Sequence, residues 1–138
     1  MDKALNYLAL ARKGGMAELG EEPVGAITRT GKGYLVVVAA DASDHTWRRA
    51  KSFVAGTDQQ TVRLPYTKEE MGFVVGRTSL AIAAVTDAAL ALAMVKSLPQ
   101  SEKYASAAAV LEERAKKLAQ RKKEAKSHQR NVRMGKKK

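Results

Sequence analysis

The chain is 138 residues long, 45% apolar but only 5% aromatic, enough material for one ordinary core and little more. It has no cysteine, which excludes a disulfide framework, a zinc ribbon and thiol catalysis. Its 25 basic residues outnumber 14 acidic ones for a net charge of +11, and the excess is lopsided: residues 1–99 hold 12 basic and 10 acidic side chains, residues 100–138 hold 13 and 4, so attraction for polyanions is concentrated at the C-terminal end.

Met1-Asp2-Lys3-Ala4-Leu5 opens straight into helical periodicity with no basic, apolar and cleavable leader, and the expectation is a cytoplasmic protein. Leu5, Leu8, Ala9 and Arg12 recur at helical spacing, and Gly14-Gly15 stops that first helix. Gly20-Glu21-Glu22-Pro23 reads as a second start, with acids and proline in a first turn where the dipole and the missing N–H suit them; Gly31 closes it. Tyr34 to Ala40 is a continuous apolar run centred on the β-branched Val36, Val37 and Val38, the pattern of a central strand covered on both faces. Asp41-Ala42-Ser43-Asp44 offers caps for a third helix to about Ala55, with Trp47, Ala50 and Val54 as its inward stripe.

Thr61 to Leu64 reads as a short strand, and Thr67-Lys68-Glu69-Glu70 as a capping box opening a fourth helix that ends at Gly76. Leu80 to Val85 is a further buried strand, and Thr86-Asp87 caps a helix whose Ala89, Leu90, Ala93 and Met94 are expected to face the sheet before Pro99 breaks the pattern. Neither Tyr34–Ala40 nor Leu80–Val95 can span a bilayer, the first being too short and the second interrupted by Thr86 and Asp87. Beyond Gln100 the apolar residues thin to Tyr104, Ala107, Leu111, Ala115 and Leu118, which predicts a helix over about 101–126 that docks weakly on the domain or forms fully only on a partner, with Glu112–Lys116 and Glu113–Lys117 pairs and a disordered end from His128. The strand and helix alternation gives an α/β domain over residues 1–98 and a basic tail, part helical and part disordered, over 99–138.

Little in the chain suits catalysis. His45 and His128 are far apart in sequence, so no metal site or cofactor is expected, and Asp41, Ser43 and His45 are local neighbours rather than a triad assembled from separate segments. Gly31-Lys32-Gly33 precedes a strand, whereas phosphate loops follow one. Glu69-Glu70 sits where acids simply complement a helix dipole. Donors suited to phosphate oxygens are more prominent: Lys13 beside Gly14-Gly15, Arg29 and Lys32 around the end of the second helix, Arg48-Arg49, the Arg77-Thr78-Ser79 loop, and Lys116, Lys117, Arg121, Lys122 and Lys123 in the tail. The scarcity of aromatics argues against an open base-stacking surface and for folded RNA reached through loops and helix ends.

Several phrases in order carry a family resemblance: Leu8-Ala9-Leu10-Ala11-Arg12-Lys13-Gly14-Gly15, Gly20-Glu21-Glu22, Leu35-Val36-Val37-Val38-Ala39-Ala40-Asp41-Ala42-Ser43, Met71-Gly72 and Ala81-Ile82-Ala83-Ala84-Val85-Thr86-Asp87. From about Leu5 to Val95 the chain resembles the kink-turn-binding ribosomal protein superfamily, of L-seven-Ae and L-thirty-e type, and its bacterial YlxQ-like members. The resemblance implies a three-layer α/β/α sandwich on a mixed four-stranded sheet, with RNA contacts from Gly20–Ala26 and Arg77–Leu80. The family's usual Gly-x-Asn-Glu-x-x-Lys motif is altered here: Glu22 stands at the Asn position, Pro23 at the Glu position and Ala26 at the Lys position, and Gly20 alone matches. Glu22 can accept from a guanine N–H edge but cannot donate as an amide would.

Together these readings predict a non-enzymatic, monomeric RNA-binding protein that contacts structured RNA, ribosomal RNA above all, through Lys13, Gly20, Glu21, Glu22, Arg29, Lys32, Arg77, Thr78, Ser79 and the tail cations. The competing expectation is a protein-interaction module working with ribosomal or translation proteins, suggested by the missing motif side chains.

Overall fold

The computed structural model describes residues 2–99 and 102–135, with side chains described as far as residue 125. In chain order the elements are α1 (Lys3–Lys13), β1 (Ala17–Leu19), α2 (Glu21–Arg29), β2 (Leu35–Val38), α3 (Asp44–Val54), β3 (Gln60–Arg63), α4 (Lys68–Val74), β4 (Ile82–Val85), α5 (Ala88–Lys96) and α6 (Glu102–Gly135). The strands form one mixed sheet in the order β1-β4-β2-β3, with β2 and β3 parallel and the other two pairings antiparallel. Helices α2 and α3 cover one face; α1, α5 and α6 cover the other, and α4 packs against α1.

The centre is β2, whose Leu35, Val36, Val37 and Val38 are all fully buried, as an unbroken apolar run between two helical layers requires. Three helix starts follow the caps legible in the chain. Ser43 Oγ accepts from the Thr46 N–H, Asp87 Oδ2 from the Leu90 N–H, and Thr67 with Glu70 forms a reciprocal capping box. Each accepted bond satisfies one of the donors a helix N-terminus leaves unpaired, worth about 1 kcal/mol.

The fourth strand that the resemblance implies is β1, residues 17–19, where the chain's own pattern shows no strand signal; three residues are too few to display an alternation. Several expectations are corrected. Helix α5 is rotated from the expected facing: Ala88, Ala91, Met94 and Val95 are buried, Leu90 and Ala93 only partly, and Ala89 is exposed. The cause is α6, which lies along α5 and β3 and places Ala107 and Leu111 inside the core, at 3% and 1% exposure. The helix is therefore packed rather than weakly docked. It also runs on to Gly135, past His128, in keeping with the absence of glycine or proline from 100 to 134. Glu112 turns to Lys96 of α5 at 3.9 Å instead of pairing with Lys116, and Glu113 makes no ion pair among the described residues.

Two polar side chains are buried among the described residues, Thr28, whose hydroxyl donates back to the Val24 and Gly25 carbonyls of its own helix, and Gln59. Gln59 Oε1 accepts from the Gly33 N–H at 2.9 Å, while its Nε2 donates to the Thr28 carbonyl and to Thr57 Oγ1, both at 3.1 Å. This amide fixes the Gly31-Lys32-Gly33 turn against β3, which gives those glycines a structural task.

Candidate nucleic-acid interface

The sheet has two ends, and the strand register says what lies at each. Gly20 donates to the Ile82 carbonyl at 3.0 Å; Ile82 pairs with Val38, and Val38 with Arg63, so α2 begins at the end of the sheet where β4 starts and β2 and β3 finish. At the other end Ala17, Val85, Leu35 and Gln60 form the matching row.

At the Gly20 end, three segments converge. Gly20 has φ of +97°, a conformation open to glycine, and no side chain caps the helix that follows. The exposed Arg77-Thr78-Ser79 loop folds back against α4: the Arg77 N–H donates to the Gly72 carbonyl at 2.8 Å and the Leu80 N–H to the Lys68 carbonyl at 2.9 Å. A Cβ at Gly72 would come within 2.8 Å of the Arg77 carbonyl oxygen and the Ser79 nitrogen, so the return path exists only with glycine there. It sets the Arg77 guanidinium beside the α2 start, with Nη1 3.9 Å from the position a Gly20 Cβ would occupy. The third segment is α3, whose Arg49 Nε donates to Glu21 Oε1 at 2.6 Å while its guanidinium lies 5.0 Å from the Phe53 ring centre. Both partners of that pair are well exposed, at 50% and 39%, so its energetic weight is small. Its effect is positional: Glu21 is turned toward α3, and Glu22, exposed and without a hydrogen bond or ion pair among the described residues, faces solvent in the first turn.

Of the residues singled out in the sequence, the fold brings Gly20, Glu21, Glu22, Arg49, Arg77, Thr78 and Ser79 together at this end. It places Lys13, Arg29, Lys32 and the tail cations at the opposite one. Helix α2 is nine residues long, about 13 Å, which carries Arg29 and then Lys32 away from Gly20. Lys13 ends α1 just before Met16, whose carbonyl accepts from the Thr86 N–H beyond the far end of β4. Helix α6 travels the same way, from Tyr104, whose hydroxyl donates to the Arg63 carbonyl at 2.7 Å, to Arg114, which binds Asp58 and lies 4.9 Å from the Tyr34 ring centre. Lys116, Lys117, Arg121, Lys122 and Lys123 follow, all exposed, and Lys122 lines a groove of about 280 Å³ with Tyr34, Thr86 and Asp87. The tail cations thus lie at the end of the sheet away from Arg77.

Four residues that sequence reasoning did not single out for binding also meet. Trp47 is surrounded by Lys51, Arg63 and Lys103, whose charged groups are 5.7, 5.2 and 5.3 Å from its ring centre. The Trp47–Lys51 spacing of four is visible in the chain, but Arg63 and Lys103 come from β3 and α6 and only the fold unites them.

Asp41, Ser43 and His45 do not assemble as a triad: Asp41 Oδ1 accepts from the Lys68 N–H at 2.8 Å, Ser43 serves the α3 cap, and His45 is exposed. Among the described residues no group of three His, Cys, Asp or Glu side chains is placed to hold a metal ion, and no helix is long and apolar enough to cross a membrane.

No protein-family model and no curated protein matches the chain. Solved structures do. A protein of unknown function from Bacillus halodurans C superposes with a TM-score of 0.65 at 22% identity, over 70% of this chain and 97% of that one. The Giardia lamblia 15.5kD RNA binding protein superposes with a TM-score of 0.54 at 14% identity, over 83% and 85%. These likenesses establish a shared fold.

Proposed function

We propose that this protein binds structured RNA, without catalysis, through the Gly20 end of its sheet. The observation that carries the reading is the convergence there of an uncapped helix start, the free carboxylate of Glu22 and the Arg77 guanidinium with the Thr78 and Ser79 hydroxyls beside it. Open helix N–H groups and a guanidinium suit phosphate oxygens, and an unpaired carboxylate suits a guanine edge. The fold shared with the Giardia RNA binding protein supports the same reading. So does the sequence resemblance to the kink-turn-binding ribosomal proteins and their YlxQ-like members, whose contacts fall on these two segments. With Pro23 and Ala26 at two motif positions, side-chain contacts from α2 are fewer and Arg77 carries more of the load. Ribosomal RNA is the expected target, met by a monomer in the cytoplasm, while Lys13, Arg29, Lys32, Lys116, Lys117, Arg121, Lys122 and Lys123 add sequence-independent attraction from the other end.

The test is binding of the full chain to a kink-turn RNA and to a matched plain duplex at several salt concentrations. Preference for the kink-turn, reduced about tenfold or more by Arg77→Ala, is the expected result, from the roughly 1.5–3 kcal/mol of a charged hydrogen bond. Equal binding of both RNAs, untouched by that substitution, would remove the site from this end.

One observation favours a second reading, a protein-docking module. Phe73 of α4 is 76% exposed, at the edge of a groove of about 530 Å³ between α1 and α4 that is lined by Leu5 and Val74 and rimmed by Asp2, Glu69 and Glu70. A protein partner retained after nuclease treatment and lost with Phe73→Ser would favour it.

A further inference from the structure

Trp47, Lys51, Arg63 and Lys103 form a cluster that the structural chemistry of the fold does not use up. Three cations share the neighbourhood of one indole, and none of them makes an ion pair with a carboxylate among the described residues. Arg63 is held in place, its Nη1 donating to the Ala40 carbonyl at 3.2 Å just past β2. Lys51 and Lys103 are exposed and sit on flexible stems, so they are free to swing from ring to ligand. Like charges brought this close repel one another, and an anion among them converts the repulsion into attraction. Trp47 itself is only half-buried, which leaves part of an aromatic surface within reach of the same ligand.

The cluster's position says which anion. It sits at the Gly20 end of the sheet, one edge over: Gly20 follows β1, the Arg77 loop precedes β4, Ala40 follows β2 and Arg63 closes β3. Strands are about 4.8 Å apart, so the span from β1 to β3 is roughly 14 Å, the length of two or three nucleotides of extended backbone. Along that row lie Arg77, beside Gly20, and then, on α3, Arg49, bound to Glu21.

We propose that Trp47, Lys51, Arg63 and Lys103 form a second RNA subsite that holds a single-stranded segment, its phosphates on the three cations and a base against the indole. Cations interleaved with an aromatic are what sequence-tolerant single-strand binding uses. The placement as an extension of the Arg77 site rests on the reading given under Proposed function; single-strand binding at Trp47 stands without it.

Trp47 is the only tryptophan, so its emission reports on this subsite alone. The full chain is titrated with an eight-nucleotide oligouridine, with inorganic phosphate, and with a structured RNA carrying or lacking a three-nucleotide single-stranded extension. Oligouridine is expected to quench Trp47, with apparent affinity falling about tenfold in Lys51→Gln/Lys103→Gln and the salt slope of that signal becoming shallower by about 0.7 for each phosphate no longer neutralised. Arg77→Ala should weaken the structured RNAs most, whereas the loss of oligouridine quenching should follow Lys51→Gln/Lys103→Gln, so failure at one site is read separately from failure at the other. No quenching by oligouridine, an equal response from the double variant, or an equal response to inorganic phosphate at matched phosphate concentration would each overturn the proposal. Quenching by the extended RNA but not by its blunt counterpart would support the continuous path.

Discussion

Tyr66 is 6% exposed, below the start of α1, and burial together with the nearby Asp2 carboxylate pushes its phenol pKa up from 10.0 to about 12. In the unfolded chain the phenol gives up its proton near pH 10, whereas the native state keeps it to about 12. Native protein therefore holds more protons in that window, and the associated stability is complete below pH 10 and is lost as pH rises toward 12. The urea midpoint of wild type should fall relative to that of Tyr66→Phe as pH rises from 10 toward 12, because the substitution removes this slope; parallel pH profiles would refute the assignment. At this scale the chain is most legible where the physics is local. Ser43, Thr67 and Asp87 cap the helices that immediately follow them, and each is readable from three or four residues of sequence. Arg63 and Lys103 gain their meaning only from Trp47, which is distant in sequence from both.

Helix α6 shows how an element can be under-read. Its own apolar stripe is narrow, but α5 is apolar on nearly every side, with Ala88, Ala91, Met94 and Val95 buried and Leu90, Leu92 and Ala93 half-buried. A helix of that kind must be covered on two faces, and the sheet supplies only one. The second cover had to come from elsewhere in the chain, and Ala107 and Leu111 supply it. Leu111→Ala is accordingly expected to cost about 2–4 kcal/mol in urea denaturation, against less than about 0.5 for Lys117→Ala on the exposed side. Comparable values for the two would mean that α6 does not belong to the core. The strands tell a complementary story: β2 announces itself by an unbroken apolar run rich in valine, whereas β1 is defined only by its pairing with β4.

For the molecule as a whole, the two kinds of candidate binding group are separated by the length of the sheet. The residues with convergent geometry, Gly20, Glu22 and Arg77, sit at one end, and the densest positive charge is on α6 at the other. Position in the sequence could not reveal this, because the direction in which α6 crosses the sheet is set by its bonds to Arg63 and Asp58. A chain ending at Gln120 keeps Leu111 and Leu118 but lacks nine of the 25 basic residues. Its affinity for duplex RNA should fall and its salt slope flatten by about 0.9 for each phosphate left without a cation, while its preference for a kink-turn over a duplex stays as it was. If that preference disappears with the truncation, specificity resides in the helix instead.

The same helix also decides how the molecule moves through water. At 34 residues α6 is about 51 Å long, and the part beyond Leu118 extends some 25 Å past its last half-buried leucine. A body of about 100 residues has a radius of gyration near 13 Å, so the protein is a ball fitted with a rod almost twice that radius in length. It will tumble anisotropically, slowly end over end and quickly about the rod, and it will sediment more slowly, and scatter with a larger radius, than a compact particle of its 14.9 kDa mass.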